Sequence, residues 1–159
     1  MSFSRSLKLV AVVTVFCSVF ALAQEQEQEK KIQRSDLPPA VEKTVAAQSR
    51  GATIKGFSQE EENGQTYFEA EMMFGGRSKD VLIDKSGAVV EVEEQVALDS
   101  LPSAVKTGLQ EKAGKGKIVK VESLTKHDKL VAYEAKVQSD GKKSEIQVGP
   151  DGKPLDHEE

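Results

Sequence analysis

The chain has 159 residues, with 22 basic and 26 acidic side chains and a formal net charge of −4. This length allows one ordinary domain or two very small ones. The acidic balance argues against a nucleic acid partner and against docking on anionic lipid, because both need concentrated positive charge. The single cysteine, Cys17, lies in an apolar N-terminal run, so the rest of the chain has no disulfide or thiol chemistry.

The N-terminus has the pattern of a secretory signal. Arg5 and Lys8 precede an apolar run of about fourteen residues, which is short for a membrane span. Ala21 and Ala23 occupy the small-residue positions before a cleavage site. We therefore expect a cleaved signal peptide over residues 1–23 and a periplasmic or secreted protein that is not inserted in a membrane afterwards. An uncleaved N-terminal anchor is the alternative.

The segment that follows, residues 24–34, reads QEQEQEKKIQR. It is polar, low in complexity and free of aromatic residues, so it offers no apolar face to bury. This composition predicts a disordered spacer between the export signal and the folded part.

The rest of the chain consists of two similar units, residues 35–96 and 97–159. Each opens with a Leu-Pro helix start, LPPAV at 37–41 and LPSAV at 101–105, because proline is tolerated in the first helical turn. Apolar side chains then recur at helical spacing. The predicted buried helix positions are Leu37, Val41, Thr44 and Val45 in the first unit and Leu101, Ala104, Val105 and Leu109 in the second.

Strands with one covered face are predicted after each helix, because apolar residues alternate with polar ones between glycine-containing turns. The offset between the units changes from 64 to 65, which suggests one residue inserted between helix and first strand. Each unit is predicted to be one helix followed by a four-stranded antiparallel meander, with the last strand of the second unit limited by Pro154. The expected fold is α+β, with the two sheets joined into one continuous sheet and the helices on one side.

These motifs resemble the PepSY-like family, also described as β-lactamase-inhibitor-like. The resemblance rests on LPPAV and LPSAV, on TYFEAEM and AYEAKV, and on KDVLIDKSGAVVEV and SEIQVGPDGKPL. It covers nearly all of residues 35–155. The second copy departs from the pattern at Gly149-Pro150, where the first has Asp84-Lys85. The resemblance implies a secreted or envelope protein that binds, and in some relatives inhibits, other proteins.

No residue pattern indicates catalysis, a metal site or a cofactor. Two distant histidines, His127 and His157, are too few for a zinc site without cysteine. Ser58 and Ser78 have no neighbouring histidine in the sequence and no nucleophile-elbow pattern. Alternating carboxylates such as Glu91 and Glu93 are interpreted as a solvated strand face, although they could act as acid and base or hold calcium weakly. We therefore expect a protein that is not an enzyme.

The strand positions predicted to point away from the helices differ between the units. They are apolar in the first unit and mostly polar in the second. The predicted binding residues are Phe57, Tyr67, Met73, Leu82 and Val89, rimmed by Glu69, Glu71, Glu91 and Lys55. Large adaptable side chains ringed by charge are typical of a protein-binding surface.

The sequence thus favours an exported, non-enzymatic module that binds another envelope or secreted protein. A more specific form of this hypothesis is that the module inhibits or regulates an envelope or secreted enzyme. The alternatives are a structural or homodimeric envelope protein and a periplasmic protein that binds a small ligand or metal weakly. The apolar residues could also be covered by the chain itself, and a register slip of one residue would exchange the two faces.

Overall fold

A single antiparallel sheet of eight strands forms the centre of the molecule. The structure, a computed structural model, describes residues 29–62, 64–157 and 159. The strands pair in chain order, each with the next. Their bounds are β1 Lys30–Lys31, β2 Thr53–Glu62, β3 Gln65–Phe74, β4 Arg77–Asp84, β5 Val89–Gln95, β6 Lys117–Lys126, β7 Lys129–Ser139 and β8 Lys142–Val148.

Two helices, α1 at Pro39–Gln48 and α2 at Ser103–Ala113, lie on the same face of this sheet. Both begin directly after the proline of the Leu-Pro motif, and a short 3-10 turn precedes each. The predicted α+β fold, with one continuous sheet and helices on one side, is therefore confirmed.

The core lies between the helices and the sheet, in two adjacent clusters. Val41 and Val45 of α1 pack on Ala70, Val81 and other residues of β2–β5. The second cluster, around α2, contains Leu101, Val105, Leu109, Val121, Ala135 and Val148. The predicted helix faces are largely confirmed, except that Ala104 is exposed.

The structure differs from the prediction in two details, one in the spacer and one in the second meander. The segment predicted as a disordered spacer contains β1, whose Lys30 and Lys31 pair with Gln59 and Ser58 of β2. The second unit contributes three strands, since residues 149–157 form turns and irregular backbone after β8. The sheet reaches eight strands because β1 is added at one edge.

The glycines of the two turns that follow β4 and β8 let these turns approach the helices closely. A Cβ on Gly87 would lie 2.7 Å from the carbonyl oxygen of Ala40, and one on Gly152 would lie 2.2 Å from that of Ala104. Both glycines have positive φ, 87° and 81°. Thr44 also donates a hydrogen bond of 2.6 Å to the carbonyl oxygen of Gly87. Each helix is thus fixed to the turn beside it.

The predicted signal peptide, residues 1–23, and the first part of the predicted spacer lie outside the described residues. Within the described part, no helix is long and apolar enough to cross a membrane.

Candidate binding face of the sheet

The sheet face opposite the helices, here called the open face, carries the candidate functional residues. Side chains along one strand alternate between the two faces of the sheet. Residues that are direct partners on neighbouring strands share a face, so the pairing identifies the residues of the open face. The open face is rich in carboxylates. They are Glu60, Glu62, Glu69, Glu71, Asp80, Asp84, Glu91, Glu93, Glu122, Glu134 and Glu145.

Five of the predicted binding residues are brought together on the open face. Tyr67, Glu69, Glu71 and Met73 lie at alternate positions of β3, and Leu82 of β4 pairs directly with Glu69. All five are partly exposed. The Tyr67 hydroxyl donates a hydrogen bond of 2.8 Å to Gln65, and Ser58 donates one of 2.9 Å to Glu69.

Phe57 is not on the open face, and its predicted position is wrong. A β-bulge between Ile54 and Gly56 shifts the register, so that Phe57 pairs with the buried Ala70. Phe57 is 9% exposed and belongs to the core beneath α1. An extra residue in one strand exchanges the faces of every residue beyond it, which a strict alternation cannot anticipate.

Val89 is displaced for the same reason. The pairing of β4 with β5 skips one residue, since Leu82 pairs with Glu91 and Ile83 pairs with Val89. Val89 therefore packs against the core cluster of α1. Its neighbour Val90 instead lines a concavity together with Tyr67 and Leu82.

The extra residue of the second unit lies in β7, not between the helix and the first strand as predicted. The β6–β7 ladder pairs Leu124 with Ala132 and Thr125 with Leu130, which leaves Val131 as the extra residue. No residue is inserted between α2 and β6, so Phe57 corresponds in register to Val121 and Ser58 to Glu122. The open face of the second unit thus carries a carboxylate where the first carries a serine.

An acidic concavity of about 270 Å³ occupies the middle of the open face. It is lined by Glu60, Glu62, Glu69, Asp80, Leu82, Glu91, Glu93, Lys126 and Glu159. Glu159 reaches it from beyond β8, where its backbone N–H donates a hydrogen bond of 2.8 Å to Gln147. Lys126 lies 3.7 Å from the carboxylates of both Glu91 and Glu159.

Partial burial and mutual repulsion make several of these carboxylates hard to ionise. Burial, followed by repulsion from Glu122 and other carboxylates, raises the pKa of Glu93 to about 8. Burial, followed by repulsion from Glu69, raises the pKa of Asp80 to about 6. Burial also raises the pKa values of Glu69, Glu91 and Glu134. The open face therefore favours a group that brings positive charge.

Glu122 is the most deeply buried of these carboxylates, with 1% of its side chain exposed. Its Oε1 accepts a hydrogen bond of 3.2 Å from Ser78 and lies 2.5 Å from Nζ of Lys120. Its Oε2 accepts no hydrogen bond, and the Nζ of Lys136 is 3.7 Å away. Sequence patterns did not single out Glu122. An acidic residue inside an apolar strand was the available signal.

The remaining chemically active side chains are separated from one another. His127 lies in the β6–β7 turn with a φ of 47°, and His157 lies beyond β8 with 81% of its side chain exposed. Ser58 and Ser78 each donate to a glutamate, Glu69 and Glu122 respectively. Among the described residues, no hydrogen bond joins a serine to a histidine.

Comparison with solved structures shows the same fold in other proteins. A BLIP-like protein from Bacteroides fragilis is 23% identical, with a TM-score of 0.55 over 75% of this chain and 83% of its own. A DUF2874 family protein from Bacteroides ovatus is 22% identical, with a TM-score of 0.58 over 76% and 86%. A Bacteroides eggerthii protein, assigned provisionally to the periplasm, is 18% identical, with a TM-score of 0.61 over 75% and 86%.

No protein-family model and no curated protein matches the sequence. At these identities the structural similarity establishes the BLIP-like fold alone.

Proposed function

We propose that this chain is an exported, non-enzymatic module that binds another envelope or secreted protein on the open face of its sheet. The observation that carries the proposal is that both helices cover one face of the sheet, whereas the other presents Tyr67, Met73 and Leu82 among carboxylates. Apolar anchors within a charged surround are the composition of a protein-binding surface.

The partner is expected to present basic side chains to this face. The open face carries eleven carboxylates and seven lysines, so it is acidic on balance. The lysines are Lys31, Lys117, Lys120, Lys126, Lys129, Lys136 and Lys143. A basic partner surface would ionise Glu93 and Asp80 and so gain from charges that the free protein suppresses. This complementarity favours such a partner over a second copy of the equally acidic chain.

The comparisons support export and binding. One structural neighbour is named BLIP-like, and another is assigned to the periplasm. Together with the signal-peptide pattern of residues 1–23, they favour a periplasmic or secreted protein, with inhibition or regulation of an envelope or secreted enzyme as its role. The PepSY-like resemblance of the two units points to the same class.

Site-specific photo-crosslinking tests this proposal. A crosslinker placed at Leu82 or Met73 should capture one defined protein from native envelope or secreted extract, and rising salt should weaken the capture. Crosslinkers at Ala47 and Gln110, which are exposed on α1 and α2, are the matched controls. Equal capture from both faces would contradict the proposal.

A surface variant locates the binding residues. Tyr67→Thr, Met73→Gln and Leu82→Gln together should abolish the capture, since they remove the apolar anchors and leave the helix-facing core intact. Phe74→Ser and Val119→Gln form the matched control, because these two apolar residues, 53% and 51% exposed, are not among the proposed anchors. Phe74 alternates onto the helix side of β3, and Val119 is the bulge residue of β6. A crosslinked species that contains only this chain would favour the homodimer instead.

A further inference from the structure

Three carboxylates from adjacent strands converge at the centre of the open face. Asp80 of β4, Glu93 of β5 and Glu122 of β6 each place one carboxylate oxygen within 4.8 Å of the others. Asp80 pairs directly with Glu93, and Glu93 pairs with Leu124, two residues from Glu122. The spacing of the ladder therefore fixes all three on one surface.

The buried member of this carboxylate triad has an unsatisfied oxygen. Glu122 Oε2 accepts no hydrogen bond although only 1% of its side chain is exposed. Such an oxygen normally accepts a hydrogen bond, because burial otherwise removes its hydration without replacement. The Lys136 ammonium, 3.7 Å away, is too distant to donate one. This observation is independent of the clustering and indicates that the triad accommodates a further positively charged group.

The neighbouring lysines Lys120 and Lys136 both pair with Glu122 and offset the charge of the triad only in part. Lys120 is bound to the other oxygen of Glu122, and Lys136 lies closer to Glu145, at 3.2 Å, than to Glu122, at 3.7 Å. Glu69, Glu91 and Glu134 add further negative charge around the triad. A small cation of high charge is therefore the best complement to the space between the three carboxylates.

We propose that Asp80, Glu93 and Glu122 bind a divalent cation of the calcium class. All three ligands are hard carboxylate oxygens, which calcium prefers, whereas zinc favours nitrogen and sulfur. Asp80 and Glu93 also line the acidic concavity, which gives water access to complete the six to eight ligands that calcium takes. The site lies beside the proposed protein-binding residues and does not depend on that function.

A second carboxylate group, Glu29 with Glu69 and Glu71, lacks the feature that singles out the triad. Glu29 is exposed and Glu71 is half-buried, and Glu69 accepts a hydrogen bond from Ser58. Exposed acidic groups of this kind occur widely without a metal, so this cluster is not proposed as a site. It serves as an internal reference for the experiment.

Calorimetric titration of the EDTA-stripped protein with calcium chloride tests the proposal. We expect one calcium per chain with a Kd of about 10⁻⁴–10⁻³ M, typical of solvent-accessible sites outside the cytosol. Glu93→Gln and Glu122→Gln should each weaken calcium binding about tenfold or more. Asp80→Asn removes the third ligand and should weaken binding in the same way. Calcium should raise the thermal midpoint of the unaltered protein and much less that of the variants.

Glu94→Gln is the matched control. Glu94 follows Glu93 on β5, faces the opposite side of the sheet and pairs with Lys79 at 3.1 Å, so its replacement leaves the triad unchanged. Glu71→Gln tests the reference cluster. Both should bind calcium as the unaltered protein does.

Absence of heat and of stabilisation at about 10 mM calcium would overturn the proposal, since that concentration is well above the expected Kd. So would affinity that persists in folded Glu93→Gln and Glu122→Gln proteins. Crosslinking from Leu82 in EDTA tests protein binding without calcium, so it separates the protein-binding proposal from the calcium proposal. Partner capture in EDTA would support protein binding even if calcium binding fails, and calcium binding without partner capture would support the calcium site alone.

Discussion

Asp80 and Glu93 are direct partners across β4 and β5, so two carboxylates face each other on the open side of the sheet. Like charges in this position oppose each other, and partial burial adds to the cost of ionisation. The pair is therefore locally destabilising when both carboxylates are ionised, and it lies at the centre of the candidate binding face. Its first consequence is a pH dependence of stability.

The metal-free protein should lose stability as the pH rises from about 5 to about 8. Burial raises the pKa of Glu93 from 4.5 to about 8. In this window folded Glu93 keeps a proton that the unfolded chain has released, so folding becomes less favourable with rising pH. Besides burial, repulsion from Glu122, Glu134, Glu91 and Asp80 raises this pKa. Lys126 and Glu159 line the same concavity as Glu93.

Urea unfolding in EDTA measures this effect. The free energy of unfolding should fall by roughly 2–4 kcal/mol across the window, after allowance for solvent screening. Glu93→Gln should flatten the curve and raise stability at pH 8, because an amide carries no charge to ionise. An unchanged slope in this variant would show that other groups cause the pH dependence.

Lys120 is expected to be essential for tolerating the buried carboxylate of Glu122. Replacing it in Lys120→Met leaves that charge without its 2.5 Å partner, and we expect a loss of about 3 kcal/mol. Adding Glu122→Gln should restore most of the stability, since the charge is then absent. The measurement is a double-mutant cycle by urea unfolding.

Lys153→Met is the control for this cycle. Lys153 and Asp151 form an exposed ion pair of 2.9 Å, with 80% and 59% of their side chains exposed. Surface pairs of this kind contribute at most about 1 kcal/mol. If Lys120→Met combined with Glu122→Gln is as unstable as Lys120→Met alone, the loss of stability comes from lost packing of the lysine stem instead.

Truncation of Phe57 distinguishes the bulged register from a regular one. Phe57→Ala should destabilise the protein by about 3–5 kcal/mol, because it opens a cavity beneath α1. Met73→Ala, on the partly exposed open face, should cost less than about 1 kcal/mol. Similar small losses for both, measured by thermal or urea unfolding, would place Phe57 on the open face.

Gly152 should tolerate no side chain. Gly152→Ala combines a positive φ of 81° with a Cβ 2.2 Å from the Ala104 carbonyl oxygen. We expect a loss of more than about 3 kcal/mol in urea unfolding, from backbone strain together with displacement of α2.

Gly141→Ala is the matched control, since Gly141 has a φ of 77° and a Cβ added there would meet no atom within 4 Å. Strain alone should then cost about 1–2 kcal/mol. If both variants lose the same amount, the close approach to α2 has no energetic consequence.

The sequence by itself determined the helices, most of the strands and the inner face of the sheet. Leu-Pro motifs start both helices at fixed positions, and alternation places Ala70, Met72, Val81 and Ile83 in the core. These features follow from local rules, because proline position and period-two patterning act within a few residues. Tyr67, Met73 and Leu82 were assigned to the correct face for the same reason.

Only the tertiary structure decided which residues meet on the open face. Bulges in β2 and β5 change the register, which places Phe57 in the core and packs Val89 against it. A bulge arises from pairing with a neighbouring strand and leaves no signal in a period-two pattern. The convergence of Asp80, Glu93 and Glu122 depends on three strands aligned in one sheet, and such long-range pairing cannot be read from residues 13 and 29 positions apart in the chain.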